Sequence, residues 1–244
     1  MDRRLPPTLA EALPPVEPPA AHRPDFAALA ADRRSIRAFL DRPLAAGAVE
    51  RLLAAARRAP SGANLQPGRF IQVEGDLRAR LTQALAEAWR DGRQEPEDYG
   101  YFPQPMPMSL RRRQVAAAQA LYRSVGVARD DRAGRDRQFE RNFRFFDAPV
   151  ALVVTIDREF GSGGYMDLGM ALYGLMLAAQ AEGLASCGIG ALASYPNLIR
   201  RMLGLDERSS IVCGMAIGYA DPRAPINDTV TERCALDEYF TVMR

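Results

Sequence analysis

Pro60-Ser61-Gly62-Ala63-Asn64-Leu65-Gln66-Pro67 is the stretch on which the reading of this chain turns. It follows an amphipathic pattern over residues 45–58, with Val49, Leu52, Leu53 and Ala56 on one helical face. It precedes Arg69-Phe70-Ile71-Gln72-Val73, an apolar run that reads as a strand. Neither bounding proline can continue a helix, and the residues between them are small or carry amides, so the segment is a loop. A hydroxyl, free backbone N–H groups and two side-chain amides on one loop suit a flat heterocycle rich in C=O and N–H groups. An ordinary surface turn has the same composition. The rest of the chain decides between the two.

Composition narrows the chemistry. The chain has 244 residues, 48% hydrophobic and 25% charged, enough for one large domain or two small ones. Its 32 basic residues are all Arg and face 30 acidic ones, a net charge of +2. Such a balance argues against a nucleic-acid partner and against an anionic membrane surface. The absence of Lys excludes Schiff-base catalysis and a Walker-type phosphate loop. The one histidine, His22, sits in a proline-rich leader, which argues against a Ser-His-Asp triad or a histidine metal site. Cys187, Cys213 and Cys234 show neither metal-type nor redox-pair spacing and read as buried small apolar residues of a cytoplasmic protein. If the chain is an enzyme, a cofactor must carry the reaction.

Residues 1–24 hold seven prolines and lack the continuous apolar stretch of a signal peptide; they read as an N-terminal arm ahead of a single domain over 25–244. After a short helix at 25–31 comes Asp32-Arg33-Arg34-Ser35-Ile36-Arg37-Ala38-Phe39. Arg33 and Arg37 share a side whether this segment is helical or extended, and Ser35 joins them only if it is extended. Two guanidiniums and a hydroxyl on one point make a dianion site; a solvated arginine run is the alternative. Asp76 is the expected N-cap of a helix reaching residues 89–90. Residues 91–108, with four prolines among Tyr99, Tyr101 and Phe102, open a lid-like excursion over 91–146 whose later parts read as helices at 109–122 and 135–146. Residues 149–156 and 210–219 are buried strands. Between them, residues 165–182 form a helix apolar nearly all round, which belongs in a core or at a subunit interface and, with Asp167 inside it, does not suit a membrane span. Gly183 ends that helix, and residues 184–192 form a strand-like run whose Gly188 and Gly190 allow close approach of a ligand.

Four stretches in order along residues 25–240 resemble the FMN-dependent nitroreductases: Arg33 to Phe39, Pro60 to Pro67, Gly183 to Ala191, and Gly218-Tyr219-Ala220-Asp221-Pro222 through Arg233. Asn142 to Pro149 and Cys213 to Asp221 are similar to the nitrobenzoate-reductase-like subgroup. The resemblance implies an α+β fold with a central mixed sheet flanked by helices, in an intertwined homodimer holding two FMN at its interface. It implies that Arg33, Ser35, Arg37 and Arg233 hold the FMN phosphate and ribityl chain, with Arg34 in the same motif. Pro60, Ser61 and Asn64, with Gln66 beside them, would reach the flavin from the partner subunit. Gly188, Ile189, Gly190 and Ala191 would line the ring, the Gly190 N–H near N5. Two positions depart from the family pattern: Gly68 where a Trp is usual, and Thr231 where a Lys is common.

The expected activity is reduction of nitroaromatics or similar acceptors by NADH or NADPH through FMN, in a ping-pong hydride mechanism without side-chain catalysts. The same fold and flavin could instead serve a quinone, an activated alkene or an aryl halide, or bind flavin without turnover. NAD(P)H oxidation in the presence of an acceptor separates the last reading from the others.

Overall fold

The computed structural model describes residues 25–244; the arm expected over 1–24, with His22, lies outside them. In chain order the elements are α1 (Phe26–Asp32), α2 (Ala48–Ala56), β1 (Arg69–Gln72), α3 (Gly75–Arg90), α4 (Met108–Ser124), α5 (Arg132–Glu140), β2 (Val150–Asp157), α6 (Ser162–Ala181), β3 (Ala185–Ile189), α7 (Pro196–Leu203), β4 (Ser209–Gly218) and α8 (Leu236–Tyr239).

The two most apolar strands, β2 and β4, lie side by side in the middle of a four-stranded sheet of order β1-β2-β4-β3. Every pairing between these strands is antiparallel. The sheet becomes mixed only at its β3 edge, where Ser35 makes a parallel bridge to Ser186 and the Ile36 N–H donates to the Ser186 carbonyl at 3.1 Å. Side chains alternate across a strand, so each face of β2 is buried against a different layer. Ala151 and Val153 join α3, α7 and three phenylalanines, whereas Val150 and Leu152 pack with Leu52 of α2 and Leu175 of α6.

The β2–β4 ladder carries one bulge. Val154 pairs with Cys213 and Thr155 with Ile211, which leaves Val212 as the extra residue. A one-residue insertion reverses which face each later side chain takes. Ile211 and Ala216, of opposite parity, therefore face the same core.

Several boundaries differ from the sequence expectation. Glu74 stands at the N-cap of α3 without a side-chain cap bond, and Asp76 falls in the first turn, where its charge favours the helix dipole. The helical pattern at 135–146 breaks at Glu140: residues 141–147 form a 3-10 turn in which Phe145 and Phe146 take left-handed backbone angles. That turn drives Phe143, Phe145 and Phe146 into the main core, so this end of the 91–146 excursion is core rather than covering. The strand at 184–192 ends at Ile189, because residues 190–194 curl into another 3-10 turn. Cys187 and Cys213 are buried as expected, but Cys234 is partly exposed. Among the described residues no helix is long and apolar enough to cross a membrane, and no cluster of His, Cys, Asp and Glu could hold a metal.

Candidate functional site

The bridges at Ser35 and Phe39 settle the conformation of the arginine segment as extended. Alternation along an extended chain puts Arg33, Ser35 and Arg37 on one side. The segment is fixed from behind by Asn227, whose Oδ1 accepts from the N–H of Arg37 at 2.9 Å and of Ala38 at 3.2 Å. The Asn227 amide donates in turn to the carbonyls of Ala38 at 2.8 Å and Asp221 at 3.0 Å. One buried side chain thus ties the first motif to the fourth. No local signal announces that role, since an asparagine in a tail reads as a turn residue.

Arg33, Arg34, Ser35, Thr231 and Arg233 then line one cavity of about 620 Å³, with Gln180 from the end of α6 and Asp32 the carboxylate on its wall. None of Arg33, Arg34, Arg37 and Arg233 pairs with a carboxylate among the described residues. The Arg233 guanidinium instead donates to the Thr231 carbonyl at 3.0 Å and its hydroxyl at 2.9 Å. Where the family pattern has a second cation, this chain has a hydroxyl that orients the first. Cys187 lies behind this cluster: burial pushes its thiol up, while Arg37, a hydrogen bond with Ser35, and Arg33 oppose the rise. Unpaired guanidiniums on a concave wall fit a phosphate dianion.

The Pro60 loop is folded by its own side chains. Residues 62–64 form a 3-10 turn, and Ala63, Asn64 and Gln66 all take positive φ. The Ser61 hydroxyl accepts from the Gln66 N–H at 2.9 Å, and the Gln66 amide donates to the Asn64 carbonyl at 3.0 Å. From α6, Asp167 accepts from the Gly62 N–H at 3.0 Å. Asp167 is buried, and this bond gives it a role that its place in an apolar helix did not reveal. Gly68 follows at φ +100°, where a Cβ would stand 2.5 Å from Leu168 Cδ1. Leu168 fills the space that a side chain at this position would enter.

Loop and arginine cradle are far apart within one chain. Asp167 touches the loop and Gln180 lines the cradle, and these residues are separated along α6 by roughly 20 Å at the helical rise. Residues 188–191 follow Ser186, which bridges to Ser35, but do not line that cavity. A Cβ on Gly188 would meet Met176 at 3.3 Å, and one on Gly190 would meet the Tyr101 ring at 3.4 Å. Among the residues expected in the site, Arg33, Arg34, Ser35 and Arg233 are therefore brought together. Arg37 adjoins them through its bond to the Ser35 carbonyl at 3.3 Å, residues 188–191 do not line their cavity, and Pro60, Ser61, Asn64 and Gln66 form a separate group.

Residues 30–219 match the pattern of the Nitroreductase family. The chain is 36% identical over 211 residues to nitrobenzene nitroreductase of Ectopseudomonas oleovorans, an alignment covering 86% of this chain and 93% of that one. It superposes with a TM-score of 0.86 on the FMN and NADPH-dependent nitroreductase NfnB from sphigopyxis sp. strain HMH, at 38% identity, covering 89% of this chain and 98% of the other. For the FMN-dependent nitroreductase NfnB of Mycobacterium smegmatis in complex with NADPH, the TM-score is 0.83 at 29% identity, over 90% and 100% of the two chains. With its sheet, arginine cradle and loop in the order its motifs imply, the chain belongs to the nitroreductase family.

Proposed function

We propose that this chain is an FMN-dependent nitroreductase that draws electrons from NADPH or NADH and passes them to nitroaromatic acceptors. The observation that carries the reading is the arginine-lined cavity beside β3, whose guanidiniums pair with no carboxylate among the described residues. A phosphate dianion fits Arg33, Arg34 and Arg233, with Ser35 donating a neutral hydrogen bond and Arg37 beside it. Riboflavin lacks that dianion, so the donor set selects the phosphorylated flavin. Backbone N–H groups of residues 188–191 would face the polar edge of the ring. Bound FMN supplies hydride acceptance from nicotinamide and electron delivery to the nitro group. The chain's own part is binding, orientation and exclusion of water. No histidine lies among the described residues to donate protons.

The separation of loop and cradle supports a homodimer in which each site takes Pro60, Ser61, Asn64 and Gln66 from the partner. Two surfaces have the character for it. Helix α6 leaves Met166 65% and Tyr173 42% exposed, and the tail leaves Leu236 73% and Tyr239 83% exposed. Unpartnered apolar area of this kind is characteristic of an obligate interface.

The test is anaerobic. FMN should copurify with the protein, NADPH should bleach it, and 4-nitrobenzoate should restore its colour in a separate second step. Steady-state double-reciprocal lines should be parallel. Bound FMN that NADPH cannot reduce would point to a non-catalytic flavin protein, and a fully active monomer would refute the shared site.

A further inference from the structure

Asp167 is the one charged residue of α6, and it is buried. A carboxylate taken out of water without a counter-charge is costly to keep. Among the described residues no arginine pairs with it. Its bond goes to the backbone of a different element: Oδ2 accepts from the Gly62 N–H at 3.0 Å.

The loop that receives this bond has little packing behind it. It borders a cavity of about 500 Å³ between α2 and α6, lined by Ser61, Gln66, Pro67 and Asp167 itself. Its internal bonds, Ser61 with Gln66 and Gln66 with Asn64, tie loop residues to one another and not to the body of the fold. Ala63, Asn64 and Gln66 stand at φ +49°, +57° and +49°. Residues with a Cβ disfavour that region, so a loop released from its anchors relaxes to other shapes. Two consecutive residues of α6 hold the loop at both ends. Asp167 takes the Gly62 N–H, and Leu168 lies against Gly68, where a Cβ would stand 2.5 Å from its Cδ1. Asn64 and Gln66, which reach the flavin in the proposed dimer, lie between these two holds.

We propose that Asp167 is a positioning residue of the shared flavin site: its carboxylate oxygen sets the Pro60–Pro67 loop in the shape that meets the flavin ring across the dimer. This deepens the reading given above and rests on it. Asp167 works as a hydrogen-bond acceptor for backbone; it takes no part in proton transfer, and its charge is not what the loop needs.

Three variants of the full chain test this. Asp167→Ala removes the acceptor, Asp167→Leu removes it while keeping the space filled, and Asp167→Asn keeps an acceptor oxygen without the charge. The FMN dissociation constant is read from flavin fluorescence, and the visible absorption band of the bound flavin reports the surroundings of the ring. Asp167→Ala and Asp167→Leu should each weaken FMN about tenfold and shift that band. Asp167→Asn should recover the parent band and an affinity within about twofold of it. Parent-like affinity and band in both Asp167→Ala and Asp167→Leu overturns the proposal while the flavin reading stands. So does weaker FMN with an unshifted band, or an Asp167→Asn variant as weak as Asp167→Ala, which would make the charge the acting feature. Failure of both Asp167→Ala and Asp167→Leu to fold would make the carboxylate a structural group and overturns the proposal as well. A parent that binds no FMN overturns the flavin reading itself.

Discussion

Asp98→Asn is the perturbation whose size the structure fixes best. The Asp98 side chain is 4% exposed and that of Arg200 5%, so each is the other's main counter-charge in a region water does not reach. An amide oxygen at position 98 can still accept from the Ile211 N–H, but it leaves the Arg200 guanidinium buried without its anion. Removing one partner of a buried pair typically costs about 3–5 kcal/mol, a large share of the roughly 5–15 kcal/mol that holds a domain folded. Replacing both partners is different, because no buried charge is left isolated; Arg158, the second cation on Asp98, is half-exposed and stays solvated. Asp98→Asn combined with Arg200→Met should lie within about 1.5 kcal/mol of the parent. The measurement is urea unfolding with FMN saturating in every sample, followed through Trp89, the single tryptophan. A cost below about 1 kcal/mol for Asp98→Asn, or a double variant no better than the single, would refute the reasoning.

Three further outcomes are expected. Arg37→Ala and Arg233→Ala should each weaken FMN about ten- to a hundredfold, the worth of one hydrogen bond to a charged group, measured by quenching of flavin fluorescence; unchanged affinity in both would remove the phosphate assignment. Gly68→Ala should destabilise the fold by at least about 1 kcal/mol, because φ +100° disfavours any side chain and the Cβ strikes Leu168; pairing it with Leu168→Ala should relieve the clash but not the backbone strain. Stability should fall as pH rises above the free-thiol range: burial pushes Cys213 up to about 12 and raises Cys187 and Tyr99 as well, so the unfolded chain ionises first and the folded form loses ground until its own groups titrate. Cys213→Ala should flatten that alkaline slope, and an unaltered slope would contradict the assignment.

The elements most open to sequence reading were those whose signal is local. The apolar runs of β2 and β4, the all-round apolar α6 and the order of the four motifs needed no partner to be recognised. The conformation of Arg33 to Arg37 was not legible, because its arginines align in helix and strand alike; the bridge to Ser186 decides it. Likewise, the left-handed backbone of Ala63, Asn64 and Gln66 belongs to residues without a glycine's freedom, and Asp167 imposes part of it from across the fold. Asp98, Asn227 and the bulge at Val212 are long-range features, each meaningful only once distant segments meet. Thr231 and Gly68 were visible as departures, but their compensation by Arg233 orientation and by Leu168 was not.

The length of α6 has a consequence for inheritance. If cradle and loop of one centre come from different chains, a subunit defective in Arg37 and a subunit defective in its Pro60 loop each spoil a different half of a centre. Mixed in one dimer, they leave one centre with both lesions and one with none. Two inactive alleles would then rescue each other in the same cell, and the helix that keeps the two motifs apart is what makes that complementation possible.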